Sequence, residues 1–203
     1  SKVFYRGIID TGCNDDEKRH GLSRYVGKSI VWFDTSANKK KSQKRTKGGS
    51  YINEEEKRII LEILDDLKST GELKGLDIGI ITGYSGQKEL LRKSIKATGL
   101  DKIASKIDIN TLDAFQGREN DIIIYSTVRT RDSIGFQKEK ERVNVAFSRA
   151  KKLLIVCGDK NFFYNFDDQD NKFVEIIDYI SEEEECEIIQ CDGGKLFERE
   201  SNS

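Results

Sequence analysis

The chain has 203 residues, 35% charged and 36% hydrophobic, with 35 basic against 36 acidic side chains. That length suits one domain with a core large enough to fold alone, and apolar runs recur too often for a disordered chain. Those runs are only a few residues long, far short of a membrane span, and nothing resembles a signal peptide, so an intracellular protein with no membrane partner is expected.

Residues 1–28 turn polar after "SKVFYRG" and are expected to be loop with one short element. "SIVWFD" (29–34) is the first strand, an apolar run ending in a carboxylate. Residues 35–50 follow with six basic side chains and no periodicity, which predicts a long mobile loop. Asn53 before three glutamates starts a helix, and Ile60, Ile63, Leu64 and Leu67 carry its apolar face to about Ser69. "LDIGIIT" (76–82) is a second strand; "SGQKELLRKSIKATG" is a helix with Leu90, Leu91 and Ile95 inward and Gly99 as its stop. "KIDIN" and "DIIIYSTV" are strands. Val143, Ala146, Phe147 and Ala150 are spaced as one helical face, and "LLIVCGD" (153–159) is a strand apolar enough to be covered on both sides. A helix near 172–184 and a short strand, "CEIIQ", precede a polar tail.

Strands and helices in alternation, with strands apolar throughout, predict an α/β fold whose parallel sheet is wrapped by helices. Sites in such sheets lie at the carboxyl ends of the strands. "TGYSGQ", "NTLDAFQGRE" and "VRTRD" each follow a strand and are expected to converge on one edge.

Cys13, Cys157, Cys186 and Cys191 form no CxxC pair, and His20 is the sole histidine. No metal site is expected, and nucleophilic chemistry through a histidine base has one candidate, in a polar loop. "GLSRYVGKS" (21–29) imitates a phosphate-binding P-loop, but five residues separate Gly21 from Gly27 where the motif has four, and it precedes a strand rather than following one. The chain therefore lacks a P-loop of its own.

"TLDAFQGREND" (111–121) is the densest functional candidate. Gly117 lets the backbone approach a ligand, Glu119 can accept hydrogen bonds from ribose hydroxyls, and Thr111 can donate one to a phosphate oxygen. The stretch also reads as a polar turn between strands. Arg149, beside the last apolar position of its helix, suits an arginine finger that neutralises a transferring phosphoryl group; an arginine paired with a carboxylate is the plainer alternative.

"IGIITGYSGQ", "TLDAFQGREND", "IIYSTVRT" and "RVNVAFSRAKKLLIVCGD", in this order, resemble the second RecA-like domain of superfamily 1 helicases, in the branch typified by the nonsense-mediated-decay RNA helicase. "SKVFY" and "SYINEEEKRIILEIL" extend the resemblance over residues 1–160, leaving 161–203 as a helical extension and tail of the same domain. The resemblance implies a three-layer RecA-like fold with a mainly parallel sheet. Gln116, Gly117 and Glu119 would face the nucleotide, with Gly117 near the phosphates and Glu119 near the ribose. Arg149 would be the finger, while Thr82, Tyr84, Thr111 and Arg129 would line the nucleic-acid channel. The family usually has proline where this chain has Gly83, which loosens that turn. ATP and Mg2+ are the implied cofactors, with the magnesium ligands supplied by an upstream RecA-like domain of the same polypeptide, and single-stranded nucleic acid is the implied partner. Two alternatives stay open: a remodeller or nuclease-coupled motor that unwinds nothing, and a non-catalytic RecA-like binding module.

Overall fold

The computed structural model describes residues 20–104, 106–115, 119–138, 143, 146–167 and 171–197. Six strands form one sheet, all pairings parallel: β1 (Ile30–Asp34), β4 (Asp77–Thr82), β5 (Lys106–Thr111), β6 (Asn120–Ser126), β7 (Ala150–Gly158) and β8 (Cys186–Gln190). Their spatial order is β5-β4-β6-β7-β1-β8. A two-stranded antiparallel hairpin, β2 (Lys44–Arg45) with β3 (Tyr51–Ile52), stands apart from it. Because β8 pairs with β1, residues beyond 160 extend the same sheet.

Alternation along each buried strand divides the core in two. Val31, Phe33, Ile78, Ile80, Ile122, Ile124, Leu153 and Ile155 face α1 (Glu54–Ser69) and α2 (Ser85–Thr98). On the opposite face Trp32, Ile81, Ile123, Tyr125, Leu154 and Val156 meet Leu112, Phe115, Val143, Ala146 and Phe147. The same cluster takes in α3 (Lys160–Tyr164) through Phe163 and α4 (Lys172–Glu182) through Phe173, Ile176, Ile177 and Ile180. This is the expected three-layer α/β fold.

The punctuation read from the sequence is present at α1 and α2. Asn53 caps α1, its side chain accepting from the backbone N–H groups of Glu55 and Glu56, and Gly99 ends α2 in the left-handed region at φ 70°. Leu91 and Ile95 are buried as predicted; Leu90 is half-buried, and Gln87 is the third buried residue of α2.

Three expectations are corrected. Ala150 does not close a helical face: it is the first residue of β7, opposite Asn120, so Arg149 stands in a helix-to-strand turn. Helix and strand both bury an alanine here, so spacing alone could not tell them apart. Residues 35–50 are not a structureless loop. They carry turns and β2, and Gln43 is buried, its Oε1 accepting from Thr130 N and its backbone N–H donating to Thr130 Oγ1. The third correction concerns the single edge on which the motifs were to meet. β5 ends at Thr111 on the carboxyl edge, the chain crosses the sheet face through Leu112 and Phe115, and β6 starts at Asn120 on the amino edge. "NTLDAFQGRE" therefore spans both ends of the sheet.

Candidate nucleotide and nucleic-acid sites

The carboxyl edge is built by register. Thr82 lies between Thr111 of β5 and Ser126 of β6, and Ser126 lies beside Cys157 of β7. Thr82 and Tyr84 reach this edge but are buried, at 0% and 3% exposure, with Tyr84 packed edge-on to Tyr51 at 5.6 Å. Arg129 is buried as well. Its Nε donates to Ser133 O at 2.7 Å, its Nη2 to Arg131 O at 3.1 Å, and its guanidinium lies 4.1 Å over the Tyr51 ring. Thr111 is half-buried and has more surface at the edge than the other three.

The second cluster lies at the opposite end. Asn120 N donates to Arg149 O at 3.1 Å, which sets Glu119 beside the turn that holds Arg149. Glu119 is exposed and Arg149 half-buried. Six residue steps along β6 put this end about 20 Å from the carboxyl edge. Gln116 and Gly117 lie outside the described residues, as does Cys13. The residue that precedes them, Phe115, is described. Phe115 is fully buried over Gly79 of β4, where a Cβ would come within 2.5 Å of Phe115 Cζ and 2.6 Å of Ile123 Cδ1. A glycine in "DIGIIT" thus opens the socket in which "DAF" is anchored.

Glu56 is the principal residue that sequence reasoning missed. It sits at the third helical position of α1 after the Asn53 cap, where a glutamate ordinarily reaches back to the cap's own N–H. Here Gln87 Oε1 accepts from Asn53 N, and Glu56 turns inward to the exit of β6. It accepts from Ser126 Oγ at 2.6 Å, Thr127 Oγ1 at 3.1 Å, Asn53 Nδ2 at 3.2 Å and Val128 N at 2.9 Å from both oxygens. Val128 holds φ 68°, a conformation costly for a β-branched residue, so the carboxyl group braces a strained exit. Burial pushes the Glu56 carboxyl up to about 8; the bonds from Ser126, Val128 and Thr127 oppose that rise, and nearby Asp159 adds to it. The signal was an Asn-x-x-Glu start, which reads first as ordinary capping.

The false P-loop is accounted for locally. Lys28 Nζ donates to the carbonyls of Glu184 and Cys186, and Ser29 leads into β1 rather than a helix. Among the described residues no group of three or more His, Cys, Asp or Glu side chains could hold a metal, and no helix is long and apolar enough to cross a membrane.

A family described as "AAA domain" matches residues 1–161. The chain belongs to this AAA-domain family of superfamily 1 helicases. It is 38% identical over 144 residues to the uncharacterised ATP-dependent helicase MJ0104 of Methanocaldococcus jannaschii, covering 70% of this chain and 20% of that protein. It is 35% identical over 166 residues to a regulator of nonsense transcripts 1 homolog from Neurospora crassa, covering 78% of this chain and 15% of that protein. Helicase SEN1 of Saccharomyces cerevisiae is 38% identical over 169 residues, covering 78% of this chain and 7% of that protein. The chain thus spans a fifth or less of the length of these relatives. Together they identify it as the C-terminal RecA-like domain of a helicase in the nonsense-mediated-decay branch.

Proposed function

We propose that this domain is the second half of an ATP-dependent motor on single-stranded nucleic acid, with its two functional surfaces at opposite ends of one sheet. The observation that supports this most is the Asn120–Arg149 backbone bond, which sets Glu119 beside the candidate finger. A carboxylate able to accept from ribose hydroxyls and a guanidinium able to meet phosphate oxygens fit one face of a nucleotide.

ATP, with its magnesium ion, supplies the phosphoryl bond whose hydrolysis drives the cycle. An upstream RecA-like domain of the same polypeptide would provide the phosphate-binding lysine, the magnesium ligands and the other wall of the cleft. On this chain, Glu119 would orient the ribose, Gly117 would let the backbone come near the phosphates, and Arg149 would neutralise the charge that develops on phosphoryl transfer. At the carboxyl edge Thr111 would touch the strand backbone directly. Thr82, Tyr84 and Arg129 would act from beneath, their burial fixing the turns against which the strand lies. Contacts to backbone rather than base edges imply little sequence preference. We take residues 161–203 as an extension of the same domain, because β8 continues its sheet.

The test is Arg149→Ala in the full-length protein. Nucleotide turnover is expected to fall by roughly 10³- to 10⁵-fold while the unfolding midpoint stays near that of the parent. A loss under about tenfold would remove Arg149 from the transition state.

A further inference from the structure

Residues 35–53 contain no acidic side chain, and six basic ones fall between Lys39 and Lys47. The structure shows where this charge is carried. The segment leaves β1 on the carboxyl edge and crosses the exits of three other strands. Thr35 N donates to Gly158 O at the end of β7, and Lys41 pairs with Asp159 at 2.8 Å. Gln43 is bonded to Thr130 beyond β6. Past β4, Gly86 N donates to Ser50 Oγ and Tyr51 packs on Tyr84. The crossings beyond β6 and β4 touch the turns that carry Arg129 and Tyr84 of the proposed track.

The six cations are not equivalent. Lys41 is taken up by Asp159. Lys40 and Lys44 line a groove of about 900 Å³ along α1, among carboxylates that Lys57 and Arg58 already pair: Glu54 with Lys57, and Glu55 and Glu62 with Arg58. Lys39, Arg45 and Lys47 are exposed, and no ion pair joins them to any of the described residues. Holding like charges together on a docked backbone has an electrostatic cost that a polyanion would relieve.

We propose that this crossing segment is a second phosphate-contacting wall for a single strand lying along the carboxyl edge, with Lys39, Arg45 and Lys47 as the contacting side chains. The inference rests on the proposed strand-binding role of that edge. It assigns the segment a positioning task without base selectivity, since lysine and arginine meet the strand here as charges.

The experiment measures binding of the full-length protein to a labelled homopolymeric single strand across a salt series, with basal nucleotide turnover alongside. Each single-strand phosphate contact contributes about 0.7 to the slope of log affinity against log salt. The triple variant Lys39→Gln, Arg45→Gln, Lys47→Gln is expected to lower that slope by up to about 2. Turnover without nucleic acid should be unchanged. Lys68→Gln, Lys74→Gln and Lys102→Gln, on the amino side of the sheet, remove the same charge and should leave the slope as it was. An unchanged slope in the first variant, with the parent still binding, overturns this inference alone. Equal losses in both variants also overturn it, because the effect would then be one of net charge. A parent protein that binds no single strand overturns the motor reading and this inference together.

Discussion

Glu56 shows how much one side chain can hold at a strand exit. Its carboxyl group receives four donors from two elements and keeps Val128 at a positive φ. The sign of its pH effect follows from its shift. The folded carboxyl keeps its proton up to about pH 8, whereas the ordinary value is 4.5. Between those limits the folded state binds the extra proton, so stability from this group is full below about 4.5 and is lost as pH rises toward 8. Cys157 and Tyr125, which adjoin it, stay neutral through this window because burial raises both well above their usual range. Asp159 faces it too, paired with Lys41. Urea unfolding from pH 5 to 8 should therefore show the parent losing stability relative to Glu56→Gln; parallel curves would assign the pH dependence to another group. Glu56→Ala should cost on the order of 3 kcal/mol or more, because several buried donors lose their acceptor at about 1–3 kcal/mol each.

At the scale of elements, the passage from β5 to β6 decides where the candidate nucleotide residues stand. A short apolar anchor, Leu112 and Phe115, carries the chain across the sheet face, and Gly79 makes room for it. Gly79→Ala would drive a methyl group into the Phe115 ring, at an expected cost of about 1–3 kcal/mol. Because the ring directly precedes the proposed nucleotide residues Gln116 and Gly117, nucleotide turnover in the full-length protein should fall further than the lost stability explains. Differential scanning calorimetry with steady-state kinetics would test this; full stability with full turnover would show that the anchor adapts. "DAFQGRE" announced itself by composition, but its division between two edges did not. A run that ends one strand and begins the next looks the same in sequence whether it turns tightly or crosses a face. Arg149 carries a similar lesson, since Ala150 satisfied a helical spacing and was claimed by β7.

For the whole molecule, the proposed function puts its two surfaces about 20 Å apart on one sheet, an arrangement that would let nucleotide closure at one end shift a strand held at the other. The 203 residues alone should show negligible ATPase activity under the proposed division of labour, and robust turnover would contradict the half-site. The sequence by itself determined the layered α/β class, the helix caps at Asn53 and Gly99, and the family. These are local or periodic signals, written in spacing and residue type. Only the tertiary structure decided that Thr82, Tyr84 and Arg129 lie buried beneath the edge, that Glu56 braces the exit of β6, and that the basic segment is docked across three strand ends. Each of those depends on pairings between residues far apart in the chain. A buried hydrogen bond is specified by both partners at once, and one partner seen alone reads as an exposed polar residue or an ordinary cap.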